Sequence, residues 1–120
     1  MTVCFSGIYN DSELAYNVYK FFESKCYPGI SNYVVEIYHC DLSNDNVKGY
    51  QEQNGDEFLL HIDANLDKDE YIRTIFHELV HCMQDIKGVI DYDEREDQAY
   101  SLEEQFYNEF ILTETPKVLS

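Results

Sequence analysis

Three residues within a stretch of five have the types and spacing to do chemistry together. His77, Glu78 and His81 form "HELVH", inside the longer run "IRTIFHELVHCMQDIKG". On a helix, at about 100° per residue, His77 and His81 stand only about 40° apart around the axis, with Cβ atoms roughly 5–6 Å from each other. Two imidazoles so placed reach one metal ion at about 2.0–2.1 Å. Glu78 projects about 100° away from the first histidine, which sets it aside from ligation but leaves it within reach of a water on the ion. A bound divalent ion lowers the pKa of such a water towards about 7, and a carboxylate can then take its proton. The spacing therefore points to hydrolysis by a metal-activated water. Both histidines lie about 120–180° around the wheel from the centre of the apolar stripe, off the core face. The plainer alternative is a solvated polar face that happens to carry two histidines.

Two ligands leave a catalytic site incomplete, because such sites use three protein ligands and a water. A third histidine in the HExxHxxGxxH arrangement is excluded, since Gln84 and Lys87 occupy the required glycine and ligand positions. A cysteine ligand of the kind found in peptide deformylases needs a glycine-cysteine-leucine setting, which Cys4, Cys26 and Cys40 lack. The remaining source is an acid in "EREDQAY", where Glu94, Glu96 and Asp97 are candidates. Glu96 is favoured. It shares a helix face with Ala99 and Glu103, and a small residue there lets two helices approach closely. The competing reading, in so acidic a chain, is a solvated acidic face.

"HELVH" followed by "EDQAY" resembles the gluzincins, zinc metallopeptidases whose third ligand is a glutamate on a later helix. The matching part runs from about Glu57 to Tyr107, and the brevity of the chain resembles the minigluzincins and small phage-type metallopeptidases. The resemblance implies a small zincin-like domain in which His77, His81 and Glu96 bind Zn2+ and Glu78 is the general base. It further implies that the 57–65 strand is a sheet edge along which an extended peptide or protein substrate binds. Tyr92 lies where thermolysin-like members carry a tyrosine that polarises the scissile carbonyl. Several gluzincins orient a histidine with an aspartate four residues after the ligand glutamate. Tyr100 stands there instead, so Tyr100 or Glu103 is expected to serve. The activity implied is zinc-dependent peptide-bond hydrolysis. The alternative is a catalytically silent zinc-binding interaction or inhibitory module on the same scaffold.

The elements that would position these residues are legible as an α+β pattern. "TVCFSGI" (2–8) reads as a short strand or an ordered arm. Asn10 and Glu13 mark the start of an N-terminal helix through "LAYNVYKFFESK", which Pro28 and Gly29 end. "NYVVEIYHC" is rich in β-branched and aromatic residues and reads as a strand. "VKGYQEQ" and "EFLLHIDAN" flank Asn54-Gly55, a tight-hairpin signal in which both residues tolerate positive φ. The second arm is the more apolar and is expected to be the better covered. Three strands, or four if residues 2–8 pair, thus make a mixed or antiparallel sheet. Asp67 caps the HExxH helix with Glu70 as its reciprocal partner, and Gly88 ends it. A C-terminal helix over "EREDQAYSLEEQFYNEFIL" carries the third ligand and ends near Thr115-Pro116. Residues 1–120 form one domain, with 113–120 as a tail. His39 and His61 read as half-exposed strand residues, and Arg73 as a surface residue.

Composition sets the outer bounds. A hydrophobic share of 44% supports a packed core. The net charge of −16, from 24 acids and 8 bases, argues against nucleic acid and anionic membrane surfaces as partners. No apolar run is long enough to span a bilayer, and the N-terminus has no secretory pattern, so a cytoplasmic setting is expected. Cys4, Cys26, Cys40 and Cys82 show no paired spacing and read as reduced, buried thiols. Oligomeric state is open at this level.

Overall fold

The computed structural model describes residues 2–7 and 12–114. The element order is β1 (Thr2–Gly7), α1 (Ser12–Phe21), β2 (Val34–Cys40), β3 (Gly49–Asn54), β4 (Glu57–Asp63), α2 (Lys68–Lys87) and α3 (Tyr92–Glu114). The fold is α+β. Residues 2–7 do pair, completing a four-stranded mixed sheet of order β1-β2-β4-β3. β1 runs parallel to β2 and β2 parallel to β4, whereas β3 is antiparallel to β4. Parallel neighbours need a long crossover, and α1 with the turns after it supplies one.

β4 is an interior strand, paired on both sides, and β3 is the sheet edge. The expectation that the 57–65 strand binds substrate along a free edge is therefore incorrect. The register pairs Val34 with Glu57 and Cys40 with Asp63, so the backbone groups such binding would use are taken by β2. β4 is nonetheless the better covered arm. Phe58, Leu60 and Ile62 are fully buried, while β3 is largely exposed.

Several boundaries also shift. The hairpin loop is Gly55-Asp56, because Asn54 pairs with Glu57 as the last residue of β3. Gly55 has φ +63°, and Asn54 does not share that conformation. Past Phe21 the chain continues in one wide helical turn (Phe22–Cys26) and a tight one (Pro28–Asn32) before β2. α3 begins at Tyr92, two residues before Glu94, because the Asp91 carboxylate accepts the Glu94 N–H at 2.9 Å. It runs to Glu114, so residues 113 and 114 are helix and not tail. Asn10, Thr115, Pro116 and the tail beyond Glu114 lie outside the described residues, as does the side chain of Cys4.

α2 packs against α1 and α3 and against strands β3 and β4 of the sheet. Its Ile72, Ile75, Phe76, Leu79 and Val80 are buried in the core. Phe76 meets Phe21 of α1 and Phe106 and Phe110 of α3, each with ring centroids 5.8 Å apart. Cys82 is buried as expected, but the free thiols of Cys26 and Cys40 are only half-buried. His39 is fully buried, not half-exposed, and its Nε2 meets the Tyr71 hydroxyl at 2.5 Å. His61 is half-buried, on the interior strand.

Candidate metal centre

The candidate site is built on one helical hairpin. Asp67 starts α2 by accepting the Glu70 N–H at 2.9 Å, and the Glu70 carboxylate pairs with Lys48. Gly88 ends α2 at φ +76°, and the Val89 N–H closes back on the Gln84 carbonyl. Four residues later the chain re-enters helix and runs back along α2. Ala99 has no exposed surface and no bulk to hold the helices apart. The register follows from this antiparallel return. Glu96 faces both histidines, Glu103 faces His77, and Tyr107 faces Arg73.

The hydrogen bonds around the histidines fix which nitrogen is free. His77 Nδ1–H donates to Glu103 Oε1 at 3.0 Å. His81 Nδ1–H donates to Gln84 Oε1 at 2.8 Å. That orientation of Gln84 is set by its amide N–H groups, which donate to the Arg95 carbonyl at 2.9 Å and to Gln98 Oε1 at 2.8 Å. In the neutral imidazoles, with the proton on Nδ1, each Nε2 carries a lone pair. His77 Nε2 stands 3.5 Å from Glu96 Oε1, and His81 Nε2 stands 3.1 Å from Glu96 Oε2. Three lone-pair donors thus converge, with donor atoms of the three residues within 4.8 Å of one another. Acceptors facing acceptors repel unless a proton or a metal cation lies between them. The set of two imidazoles and one carboxylate, each imidazole oriented by a hydrogen bond on its far side, could hold a zinc-type ion.

The electrostatics follow from burial beside clustered acids. Glu78 is 5% exposed. Burial pushes its carboxyl up to about 7; Glu96 and Glu103 push the same way, against the lowering effect of His77. Burial works to lower the His77 pKa, but the Glu103 hydrogen bond and the charges of Glu78, Glu103 and Glu96 outweigh it, so the net shift is upward. His81 is shifted down, by burial first and then by His77 and Arg95, despite Gln84 and Glu96. The expectation that both histidines lie clear of the core needs correction at His81, which is buried because α2 is covered on nearly every side.

His77, Glu78, His81 and Glu96 all line one cavity of about 680 Å³ between β3, α2 and α3. Glu94 and Asp97, the other acids considered as ligands, are exposed and outside the cluster. Tyr92 is at the cavity but 73% exposed, on the first turn of α3. Of the two residues considered as orienters, Glu103 holds His77, and the Tyr100 ring packs on His77 with centroids 4.6 Å apart.

Two residues go beyond the sequence reading. Gln84, which in sequence only rules out a longer motif, orients His81. Its position three residues on, on the same helix face, is the signal that could have found it. Arg73 is not a plain surface residue. It lies 4.0 Å over the Tyr107 ring and faces Glu103 at 3.8 Å, inside the cavity. Among the described residues, no helix is long and apolar enough to cross a membrane. No family model matches this chain, and no curated relative or solved structure matches it.

Proposed function

We propose that the protein is a zinc-dependent peptidase of the gluzincin kind, with His77, His81 and Glu96 as ligands and Glu78 as general base. The observation that carries this reading is the convergence of the two Nε2 lone pairs and the Glu96 carboxylate, with both Nδ1 atoms tied to acceptors. A zinc ion held there would supply a Lewis acid and a water of lowered pKa. Glu78, buried at the cavity wall with a carboxyl near neutrality, suits both halves of a proton relay. It takes a proton from the attacking water and returns it to the leaving amine. The peptide would lie in the cavity against β3, whose Gly49, Tyr50 and Gln51 form one wall, in place of the 57–65 strand first expected. A reducing, cytoplasmic setting accords with the free thiols of Cys26, Cys40 and Cys82.

The deciding experiment compares wild type with Glu78→Gln on a mixed peptide library, with zinc measured by X-ray fluorescence. Both proteins should carry zinc, and the variant should lose roughly 10²–10⁴-fold in hydrolysis. Unchanged hydrolysis in the variant removes Glu78 from the mechanism. Zinc without cleavage in wild type leaves the silent binding module as the function.

A further inference from the structure

A row of stacked rings crosses the sheet and stops at the cavity. Tyr38 of β2, His61 of β4 and Tyr50 of β3 are direct cross-strand partners. The rings of Tyr38 and His61 have centroids 5.5 Å apart at 18°, and those of His61 and Tyr50 have centroids 4.3 Å apart at 14°. Rings so nearly parallel, at close to the roughly 4.8 Å spacing of strands, stack along the direction in which strands add to a sheet. Tyr50 ends the row, because β3 is the edge strand and nothing pairs beyond it among the described residues. His61 covers one face of its ring. Tyr50 is still 41% exposed and lines the cavity, which leaves the other face open at the sheet edge.

The backbone around Tyr50 is set out to receive a strand. The Asp63 N–H donates to the Lys48 carbonyl at 2.8 Å, so Lys48 and Asp63 are a hydrogen-bonded pair. Such pairs alternate along an antiparallel ladder, and Tyr50 with His61 is the next one. The N–H and C=O groups of Tyr50 therefore turn in to β4, while those of Gly49 and Gln51 turn out to the edge. Gly49 and Gln51 both line the cavity. An extended peptide bonded antiparallel to them places one residue opposite Tyr50 in a non-hydrogen-bonded pair. That kind of pair has the closer side chains, with about 4.5 Å between Cα atoms. Its side chain takes the next place in the stack.

The surroundings select the chemistry of that side chain. Glu52, two residues on and on the same face of β3, is exposed and faces His61 at 3.5 Å. Desolvation first, and then the charges of Glu52, Cys40 and Asp45, raise the pKa of the Tyr50 hydroxyl, which puts acidic groups within electrostatic reach of the ring. Lys48, the cation on the same strand face, is paired with Glu70. A phenyl ring would stack here but leave the carboxylates unanswered. An ammonium is a point charge with no flat face. A guanidinium both stacks on an aromatic face and donates to carboxylates in its own plane.

We infer that Tyr50 and Glu52 form an arginine-selecting subsite, in which the substrate residue opposite Tyr50 lays its guanidinium on the open ring face and turns its N–H groups to the Glu52 carboxylate. The inference rests on the placement of peptide against β3 proposed above, and adds the side chain that such a peptide carries.

Binding tests this without relying on turnover. A short-peptide library, with each position fixed in turn as arginine, lysine, citrulline or leucine, is titrated against zinc-loaded Glu78→Gln protein. The titrations are repeated with Tyr50→Leu, Tyr50→Phe or Glu52→Gln added. One position should favour arginine over leucine by about fivefold, with lysine and citrulline both weaker than arginine. Tyr50→Leu should bring that ratio below about twofold, Glu52→Gln should at least halve it, and Tyr50→Phe, which keeps the ring face, should retain it. The ratio is taken within one protein, so a general loss of binding or stability does not mimic its collapse. Absence of an arginine preference at every position overturns the inference, as does a preference that survives Tyr50→Leu or is lost equally in Tyr50→Phe. Each of these leaves the peptidase reading to its own test of cleavage by wild type. Failure of every library peptide to bind overturns the subsite and the placement of peptide against β3 together.

Discussion

Glu78 shows what a buried carboxyl group costs the fold that holds it. In the metal-free protein its carboxyl is raised from 4.5 to about 7, chiefly by burial. A group whose folded pKa lies above its unfolded value binds its proton more tightly when folded. Its stabilising contribution is complete below about pH 4.5 and is lost as pH rises through about 7. Glu78→Gln abolishes that loss. With chelator present, the variant should be more stable than wild type by about 1–3 kcal/mol at pH 8, and the gain should shrink several-fold by pH 5. Urea midpoints at the two pH values check this, and a gain that is the same at both would contradict it. The residue scale was also the most legible in sequence. His77, Glu78 and His81 lie within five residues, so one helical geometry fixes their relation whatever the rest of the chain does. The partners were harder to read. Gln84 carries no signature beyond its spacing, and choosing between Tyr100 and Glu103 as the orienter of His77 required the depth to which α3 sinks against α2.

Elements, in turn, depend on a few points of close approach. At Gly49 a Cβ would stand 2.8 Å from the His61 carbonyl oxygen and 2.8 Å from Thr74 Cγ2, both inside van der Waals contact. Backbone lies on one side and α2 on the other, so neither neighbour can simply swing away. Gly49→Ala should destabilise the protein by about 1–3 kcal/mol through overpacking. Because Thr74 lies one turn before His77 and Glu78, the same change should push α2 and loosen zinc binding. Chemical denaturation and a zinc competition titration measure the two effects, and a variant as stable as wild type would show that the contact relaxes freely. Helices were read well because capping and periodicity are local. Asp67, Gly88 and the Phe106 and Phe110 spacing sit in the sequence they organise. Boundaries moved where a cap or a change of helical pitch intervened: Asp91 caps α3 three residues ahead of the expected acidic run, and α1 gives way to a wider turn after Phe21. Strand order was not legible. "EFLLHID" has the same composition whether its outer side meets solvent or β2, and what decides is a pairing made with residues far away in the chain.

For the molecule as a whole, the ion would be a structural tie as well as a reagent. Its ligands would come from two helices that are otherwise joined by packing, by the hydrogen bonds of Gln84 and Asp85 to α3 and by the loop after Gly88. A ligand that binds only the folded state stabilises it by about 4 kcal/mol at a thousandfold excess over its dissociation constant. Chelation should therefore lower the melting temperature of wild type by roughly ten degrees or more. It should leave Glu96→Ala, which lacks the third donor, almost unmoved. Differential scanning calorimetry with and without chelator gives both numbers, and equal shifts in the two proteins would remove Glu96 from the ligand set. The compact α+β layout and its one core were expected from length, hydrophobic share and element order, whereas the cavity, being a space between elements, had no local sequence to announce it.

The interior position of β4 bears on the order in which the chain assembles. β3 and β4 are joined by a two-residue loop, and α2 and α3 by a four-residue connection, so each pair can form from its own neighbourhood. The sheet cannot, because β2 must find β4 across the intervening hairpin and β1 must find β2 across α1. Loop-closure entropy places those parallel pairings late. The three donors of the candidate site all belong to the early helical hairpin, so the ion's binding groups can gather while the sheet that walls the cavity is still open.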